Sequence, residues 1–284
     1  MKKIFILQFS ILLALAFTSC EKFLDLKPTS QSIAVANTTA DSVLYKTASD
    51  VEAALSGAYS DFRNEYYELD YFVNVDAQSD DAYAGADNPA NFQIDDYKID
   101  ATNTNVSRDW AYLYSTIGKA NAVINNVKKV TDPTLSDSRK NEILCEASFI
   151  RAYMYFQLVQ LWGDVPLQLA EIKTISIDIL PEIYPILFPP RNPKADVYAQ
   201  IIKDLETALQ YVKPTAANKT FATTGAVNAM LAKVYATQEP HDYTKVLKYC
   251  NDVIAGPYSL LTSYDMLWDN KHENSAESIF EINY

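Results

Sequence analysis

Glycine is scarce in this sequence, with only 6 residues among 284. Proteins that hold nucleotide phosphates on a glycine-rich loop need closely spaced glycines, because only then can the backbone amides approach the phosphate oxygens. The sequence contains no GxGxxG, Walker A or GxSxG motif, and its glycines are scattered. We therefore expect no nucleotide chemistry.

Histidine and cysteine are also rare, with two and three residues respectively. His241 and His272 fall in apparent loops beside polar or acidic neighbours, and no HExxH motif or other metal-ligand spacing is present. We expect two surface histidines, no metal, no cofactor and no catalytic residue. Cys145 and Cys250 lie within helical patterns, where two buried thiols are favoured over a disulfide.

Positive charge is in deficit, since 24 Lys and Arg face 36 Asp and Glu, giving a formal net charge of -12. Nucleic acids and anionic lipid surfaces both require a basic face, so neither is an expected partner. No apolar run after residue 20 is long enough to span a membrane. With a hydrophobic fraction of 49%, the chain is predicted to fold around a substantial core.

The N-terminus has the pattern of an export signal. Lys2 and Lys3 precede an apolar run, Ile4–Phe17, which is too short for a stable transmembrane helix across roughly 30 Å of hydrocarbon. The signal peptide is predicted at residues 1–19, directly before Cys20.

The residues around Cys20 resemble a lipobox, although Phe17 stands where leucine is usual. In such a motif the thiol is diacylated, and two or more acyl chains anchor a protein stably. We predict lipidation at Cys20 and an irregular, polar tether over residues 20–48. The alternative is an ordinary signal peptide followed by an incidental cysteine.

Apolar residues recur at helical spacing over much of residues 49–284, which predicts a mainly all-α domain. The stripes run through Val51–Phe62, Ile117–Val127, Ile143–Leu161, Ile202–Val212, Val227–Val234 and Val246–Val253. Ser49 and Glu52 suggest a capping box for the first helix, and Gly163 should end the third. The second and third helices should pack as an antiparallel pair. The proline-rich stretch 167–193 is predicted to contain no regular helix.

Between residues 65 and 104 the helical pattern fails, and tyrosine, aspartate and asparagine dominate. We predict long surface loops here. Sugar recognition requires flat apolar faces for C–H groups and nearby amides or carboxylates for hydroxyls. The candidate ligand residues are Tyr66, Tyr67, Asp81, Tyr83 and Asn88. The alternative is that they are ordinary loop residues.

Two other functions of this acidic segment are weaker. The pairs Asp80–Asp81 and Asp95–Asp96 suit a glycosidase poorly, because adjacent side chains usually point in different directions. A calcium site over Asp76–Asp81 lacks the glycine and distal glutamate of an EF-hand. A solvated acidic loop is favoured over both.

Several long stretches, in order along almost the whole chain, resemble the SusD/RagB family. They are Cys20–Asp25 (CEKFLD), Ala53–Tyr59 (AALSGAY), Trp110–Asn126 (WAYLYSTIGKANAVINN), Glu146–Leu167 (EASFIRAYMYFQLVQLWGDVPL), 196–209, 229–235 and Glu277–Tyr284 (ESIFEINY). The stretch Glu146–Leu167 is the most specific of these.

The resemblance implies a fold of irregular tetratricopeptide-like helix pairs with long loop insertions. It also implies an outer-membrane lipoprotein facing the cell exterior, not an enzyme, that captures oligosaccharides and acts as the lid of a SusC-like TonB-dependent transporter. A peptide-capturing relative and a purely protein-binding helical-repeat scaffold are the alternatives. The family's chains normally continue well past a stretch like ESIFEINY, so residues 49–284 are expected to match the N-terminal portion of the family fold, without its C-terminal part.

Overall fold

The computed structural model describes residues 44–85, 88–171, 179–216 and 218–283. The chain divides into Met1–Ser42 and a compact unit, Val43–Tyr284, which contains every element discussed below. The predicted signal peptide, Cys20 and nearly all of the predicted tether lie outside the described residues.

The described part of the chain is helical, and its only β structure consists of two isolated bridges, Val165 to Asn192 and Lys213 to Thr223. The predicted all-α class is therefore confirmed. The helices are α1 (Ala48–Ser60), α2 (Tyr71–Val75), α3 (Pro89–Asp95), α4 (Thr104–Asn126), α5 (Asp137–Trp162), α6 (Leu180–Leu187), α7 (Lys194–Ala208), α8 (Thr224–Thr237) and α9 (Tyr243–Ile254). A π-helix, Tyr66–Asp70, precedes α2 directly.

The N-cap of helix α1 lies two residues before the start of the predicted capping box. Thr47 is the N-cap, and its hydroxyl accepts a hydrogen bond from the Asp50 amide while the Asp50 carboxylate accepts one from the Thr47 amide. The prediction that Ser49 and Glu52 form the box is wrong, because Glu52 instead forms an ion pair with Arg139 of α5. An aspartate at the third helical position serves the same purpose as the usual glutamate.

Helices α4 and α5 form the predicted antiparallel pair. Trp110 near the start of α4 contacts Trp162 at the end of α5, with ring centroids 5.4 Å apart. In the middle, Arg151 of α5 donates to Asn121 of α4 over 2.7 Å. Helix α4 begins thirteen residues before Ile117, because its first turns are polar and carry no continuous apolar stripe.

Helix α5 is the centre of the core, and it ends where the sequence indicates. Gly163 follows its last residue with φ +66°, a conformation that a side chain would disfavour. Helix α7 packs against α5 in the opposite direction, since Cys145 contacts Thr207 while Gln160 contacts Tyr198.

Both cysteines of the helical unit are free, as the sequence favours, although only Cys145 is fully buried and Cys250 is partly exposed. The Cys145 thiol donates to the Thr207 carbonyl over 3.1 Å, and burial raises its pKa to about 11.

The prediction of no regular helix in 167–193 is wrong for residues 180–187, which form α6. Pro181 lies in the first turn, where the missing N–H costs nothing. Pro185 lies inside this short helix and removes a single hydrogen bond. No side chain of α6 is fully buried.

Candidate functional site

The tyrosine-rich segment, residues 65–104, is not a set of long surface loops. It contains the π-helix, α2 and α3, and the first of these elements lies in the core. Tyr66 is 1% exposed and Tyr67 is 6% exposed. The prediction that these two tyrosines lie on the surface is wrong.

Tyr66 and Tyr67 attach the segment to α5. The Tyr66 hydroxyl donates to the Gln157 side-chain oxygen over 3.0 Å, and the Tyr67 hydroxyl contacts the Met154 sulfur at 3.3 Å. The two rings meet edge to face with centroids 4.8 Å apart. Neither ring offers a face to a ligand, so both tyrosines serve to attach the segment to the core.

Buried amides hold the rest of the segment in place. The Asn103 side chain donates to the Ala90 carbonyl over 3.0 Å and to the Gln93 side chain over 2.8 Å. Asn105 donates to Asn91 over 2.6 Å. These bonds tie α3 to the start of α4, so the surface above them is preorganised.

Three aromatic side chains of the segment are exposed, and a fourth, whose ring contacts that of Tyr83, is half-buried; we name the four the aromatic surface: Phe72, Tyr83, Tyr97 and the half-buried Phe92. Tyr83 is 77% exposed, Tyr97 70% and Phe72 55%. The rings of Tyr83 and Phe92 lie with centroids 6.3 Å apart. Exposed aromatic rings supply the flat apolar faces that stack on sugar rings.

Tyr97 has an uncommon backbone conformation, with φ +53°. A bulky residue in this left-handed region carries steric strain, and such strain is concentrated at functional sites. The Tyr97 hydroxyl donates to the Gln78 carbonyl, which ties together two loops of the segment. Sequence reasoning missed Tyr97, because no local pattern separates it from its neighbours.

The other three predicted ligand residues lie on or near the surface. Tyr83 belongs to the aromatic surface, and Asp81 is exposed two residues before it. Asn88 is half-buried and caps α3, where its side-chain oxygen accepts from the Ala90 amide over 3.0 Å. The Asn88 oxygen is therefore already engaged within the fold.

Metal binding finds no support in the described part of the chain, where no group of three or more His, Cys, Asp or Glu side chains is arranged to hold an ion. None of the helices described there is long and apolar enough to cross a bilayer. The predicted surface position of His241 is confirmed, whereas His272 is half-buried and contacts both oxygens of Asp269 at 2.9 Å.

A concave surface lies near the other end of the described chain. It is a cavity of about 620 Å³ whose lining includes Leu267, Asn270, His272 and Glu281. Nearby in sequence, Tyr264 and Trp268 are exposed with ring centroids 6.0 Å apart. Their exposure matches that of Tyr83, so this pair provides a comparison for the aromatic surface.

Comparison with known proteins identifies the relatives of this fold. The sequence profile of the SusD-like family, described as starch-binding and associating with the outer membrane, matches residues 22–236. The chain belongs to the SusD-like family. A curated SusD-like protein of Bacteroides ovatus is 27% identical over 95% of this chain and 48% of its own length.

Solved structures confirm the family fold. A SusD superfamily protein from Bacteroides vulgatus superposes with a TM-score of 0.72 at 25% identity, covering 82% of this chain and 49% of the other. A laminarin-binding SusD-like protein superposes with a TM-score of 0.68 at 25% identity, covering 83% and 51% respectively. The chain thus spans about half the length of the relatives it matches.

Proposed function

We propose that this SusD-like chain is a glycan-binding surface lipoprotein rather than an enzyme, and that the aromatic surface contacts the sugar. The observation that carries the proposal is the exposed ring of Tyr83 beside the half-buried ring of Phe92, on a segment that buried tyrosines and amides fix to the core. The starch-binding description of the family and the laminarin-binding neighbour support glycans as the ligand class.

The chemistry of the segment suits an uncharged, hydroxyl-rich ligand. Aromatic faces bury the C–H side of a sugar ring, while carboxylates such as Asp81 accept hydrogen bonds from its hydroxyls. Because buried amides fix the backbone of α3, little conformational entropy is lost on binding.

Acylation at Cys20 and association with a SusC-like TonB-dependent transporter belong to the same proposal. A tethered lid would hold captured oligosaccharides beside the transporter, where a high effective concentration favours transfer. Lipidation would place this helical unit on the outer membrane of the cell, facing outward.

Titration calorimetry with laminarin, starch and other oligosaccharides tests the proposal. We expect binding to at least one glycan, and we expect Tyr83→Ala to weaken it about tenfold, as for a loss of ~1.4 kcal/mol. Tyr264→Ala is the matched control, since Tyr264 is equally exposed and also has one aromatic neighbour. A loss with Tyr264→Ala but not with Tyr83→Ala would move the site to the Tyr264 and Trp268 pair.

Two results point to the alternative functions. Binding of peptides without binding of any glycan would indicate a peptide-capturing relative. Formation of a transporter complex without binding of either ligand would indicate a scaffold. Release of reducing sugar from a bound glycan would contradict the non-enzymatic assignment.

A further inference from the structure

Where the π-helix and α2 pack against α4, two carboxyl groups lie close together in the core. Asp70 ends the π-helix and is 1% exposed, and Asp109 lies on α4 with no exposed surface. Arg108 donates to one oxygen of Asp70, and Asn74 donates to one oxygen of Asp109 over 2.8 Å. Arg108 also reaches Glu65 at 3.2 Å.

The second oxygen of each carboxyl accepts no hydrogen bond. Within the described residues, Oδ1 of Asp70, Oδ1 of Asp109 and Nε of Arg108 are fully buried and have no hydrogen-bond partner. Two ionised carboxylates could not donate to each other, and a buried unpaired oxygen costs roughly 1–3 kcal/mol. One proton between the two groups supplies the missing donor and satisfies both atoms.

We propose that Asp70 and Asp109 share one proton, and that the resulting hydrogen bond positions the segment that carries the aromatic surface. Asp109 is the protonated partner. Its hydroxyl donates to Asp70, its carbonyl oxygen accepts from Asn74, and the single negative charge on Asp70 is balanced by Arg108. The positioning role rests on the proposed function, whereas the shared proton does not.

The link to the aromatic surface is geometric. Asp70 and Asn74 are four residues apart, one helical turn, so both face α4. Phe72 lies midway between them and therefore points outward, where it is 55% exposed. The carboxyl pair thus fixes the rotation of α2 about its axis.

A metal ion is a poorer occupant than a proton. Calcium takes six to eight oxygen ligands, and only two carboxyls meet here beside a guanidinium group. The other ionisable groups nearby are Tyr66, which faces the pair, and Glu65, which pairs with Arg108. Burial raises the pKa of Tyr66 above its usual value, so this phenol stays neutral.

The electrostatics agree with the geometry. Burial chiefly, with the neighbouring Asp70 carboxyl, raises the pKa of Asp109 to about 8, while Asn74 and Arg108 oppose the shift. A folded-state pKa above the unfolded value stabilises the protein fully below pH ~4, and this contribution is lost as pH rises through about 8.

Infrared difference spectroscopy and thermal unfolding test the proton itself. At pH 6 the wild type should show a protonated carboxyl band that Asp109→Asn lacks. Between pH 5 and 9 the Tm of the wild type should fall by at least about 5 °C, while Asp109→Asn stays nearly flat because its amide donates permanently to Asp70. Asp61→Asn is the control. It removes a carboxylate that pairs with Lys119 of α4, the helix that carries Asp109, and its Tm should fall with pH as in the wild type.

The outcomes separate cleanly. Absence of the band, or an equal slope in the wild type and Asp109→Asn, overturns the shared proton. Loss of the band on adding calcium, with a rise in Tm, overturns the shared proton in favour of a bound cation.

The positioning role is tested next. If the carboxyl band and the fall of Tm with pH appear and a glycan binds, the glycan affinity should fall severalfold between pH 6 and 9 in the wild type only. Unchanged affinity would overturn the positioning role. If no glycan binds, the proposed function fails, and quenching of the exposed tyrosines by acrylamide against pH decides the positioning role instead.

Discussion

At the scale of single residues, neighbouring tyrosines of one segment have opposite environments. Tyr66 is buried because Gln157, ninety-one positions along the chain, accepts its hydroxyl hydrogen bond. Tyr83 is 77% exposed, because none of the described elements covers it. Composition alone predicts a tyrosine-rich binding segment, but burial depends on distant partners. Three of the five candidate ligand residues therefore remain at or near the surface, and two became part of the core.

A buried ion pair between Arg151 and Asp204 joins α5 to α7. The guanidinium donates to both carboxylate oxygens at 2.8 and 2.6 Å, and to Asn121 of α4 at 2.7 Å. Burial raises the pKa of Asp204, and Arg151 opposes that shift. Removing the arginine would leave an uncompensated charge in the core.

We expect Arg151→Met to lower the free energy of unfolding by roughly 3–5 kcal/mol at pH 7, measured by urea denaturation. The variant should regain stability as pH falls, because Asp204 then becomes protonated. The double variant Arg151→Met with Asp204→Leu should recover most of the loss. Lys119→Met breaks a partly exposed ion pair and should cost no more than about 1 kcal/mol. A cost below 1 kcal/mol for Arg151→Met would contradict this account.

At the scale of elements, long apolar stripes predict helices well and boundaries poorly. The stripes on α5 and α8 mark real helices, because most of the apolar residues of each lie buried in the core. Polar starts such as that of α4, and proline-containing helices such as α6, leave no such signal. The short helices between residues 65 and 104 were missed for the same reason: each is too short to show a periodicity.

The end of α5 offers a direct test of why this helix stops. Gly163→Ala places a Cβ at φ +66°, so it should lower the free energy of unfolding by about 1–2 kcal/mol although no atom lies within 4 Å of that Cβ. Gly118→Ala is the control, since Gly118 is exposed inside α4 and also has open space; it should stabilise by ~0.5–1 kcal/mol. Thermal denaturation of both variants measures the difference. If both substitutions changed the free energy of unfolding in the same direction, the backbone conformation at Gly163 would not be the cause of its effect.

At the scale of the whole molecule, the family could be identified from sequence because its recognisable stretches are core helices. Trp110–Asn126 and Glu146–Leu167 form the α4–α5 pair and the turn beyond it, where packing limits substitution. The candidate site could not be predicted equally well. Its aromatic rings are exposed and make few contacts that a sequence pattern would reveal.

The location of the molecule depends on a single predicted modification. We expect Cys20→Ser to move the protein from the membrane fraction to the soluble fraction, because the remaining apolar surface of an acidic chain has little affinity for anionic lipid. Fractionation of cells expressing the full chain, followed by immunoblotting, measures the change. Cys250→Ser is the control, since that thiol lies within α9 and should leave the protein on the membrane. If Cys20→Ser stays with the membrane, the anchor is elsewhere, and attachment through the transporter complex becomes the better explanation.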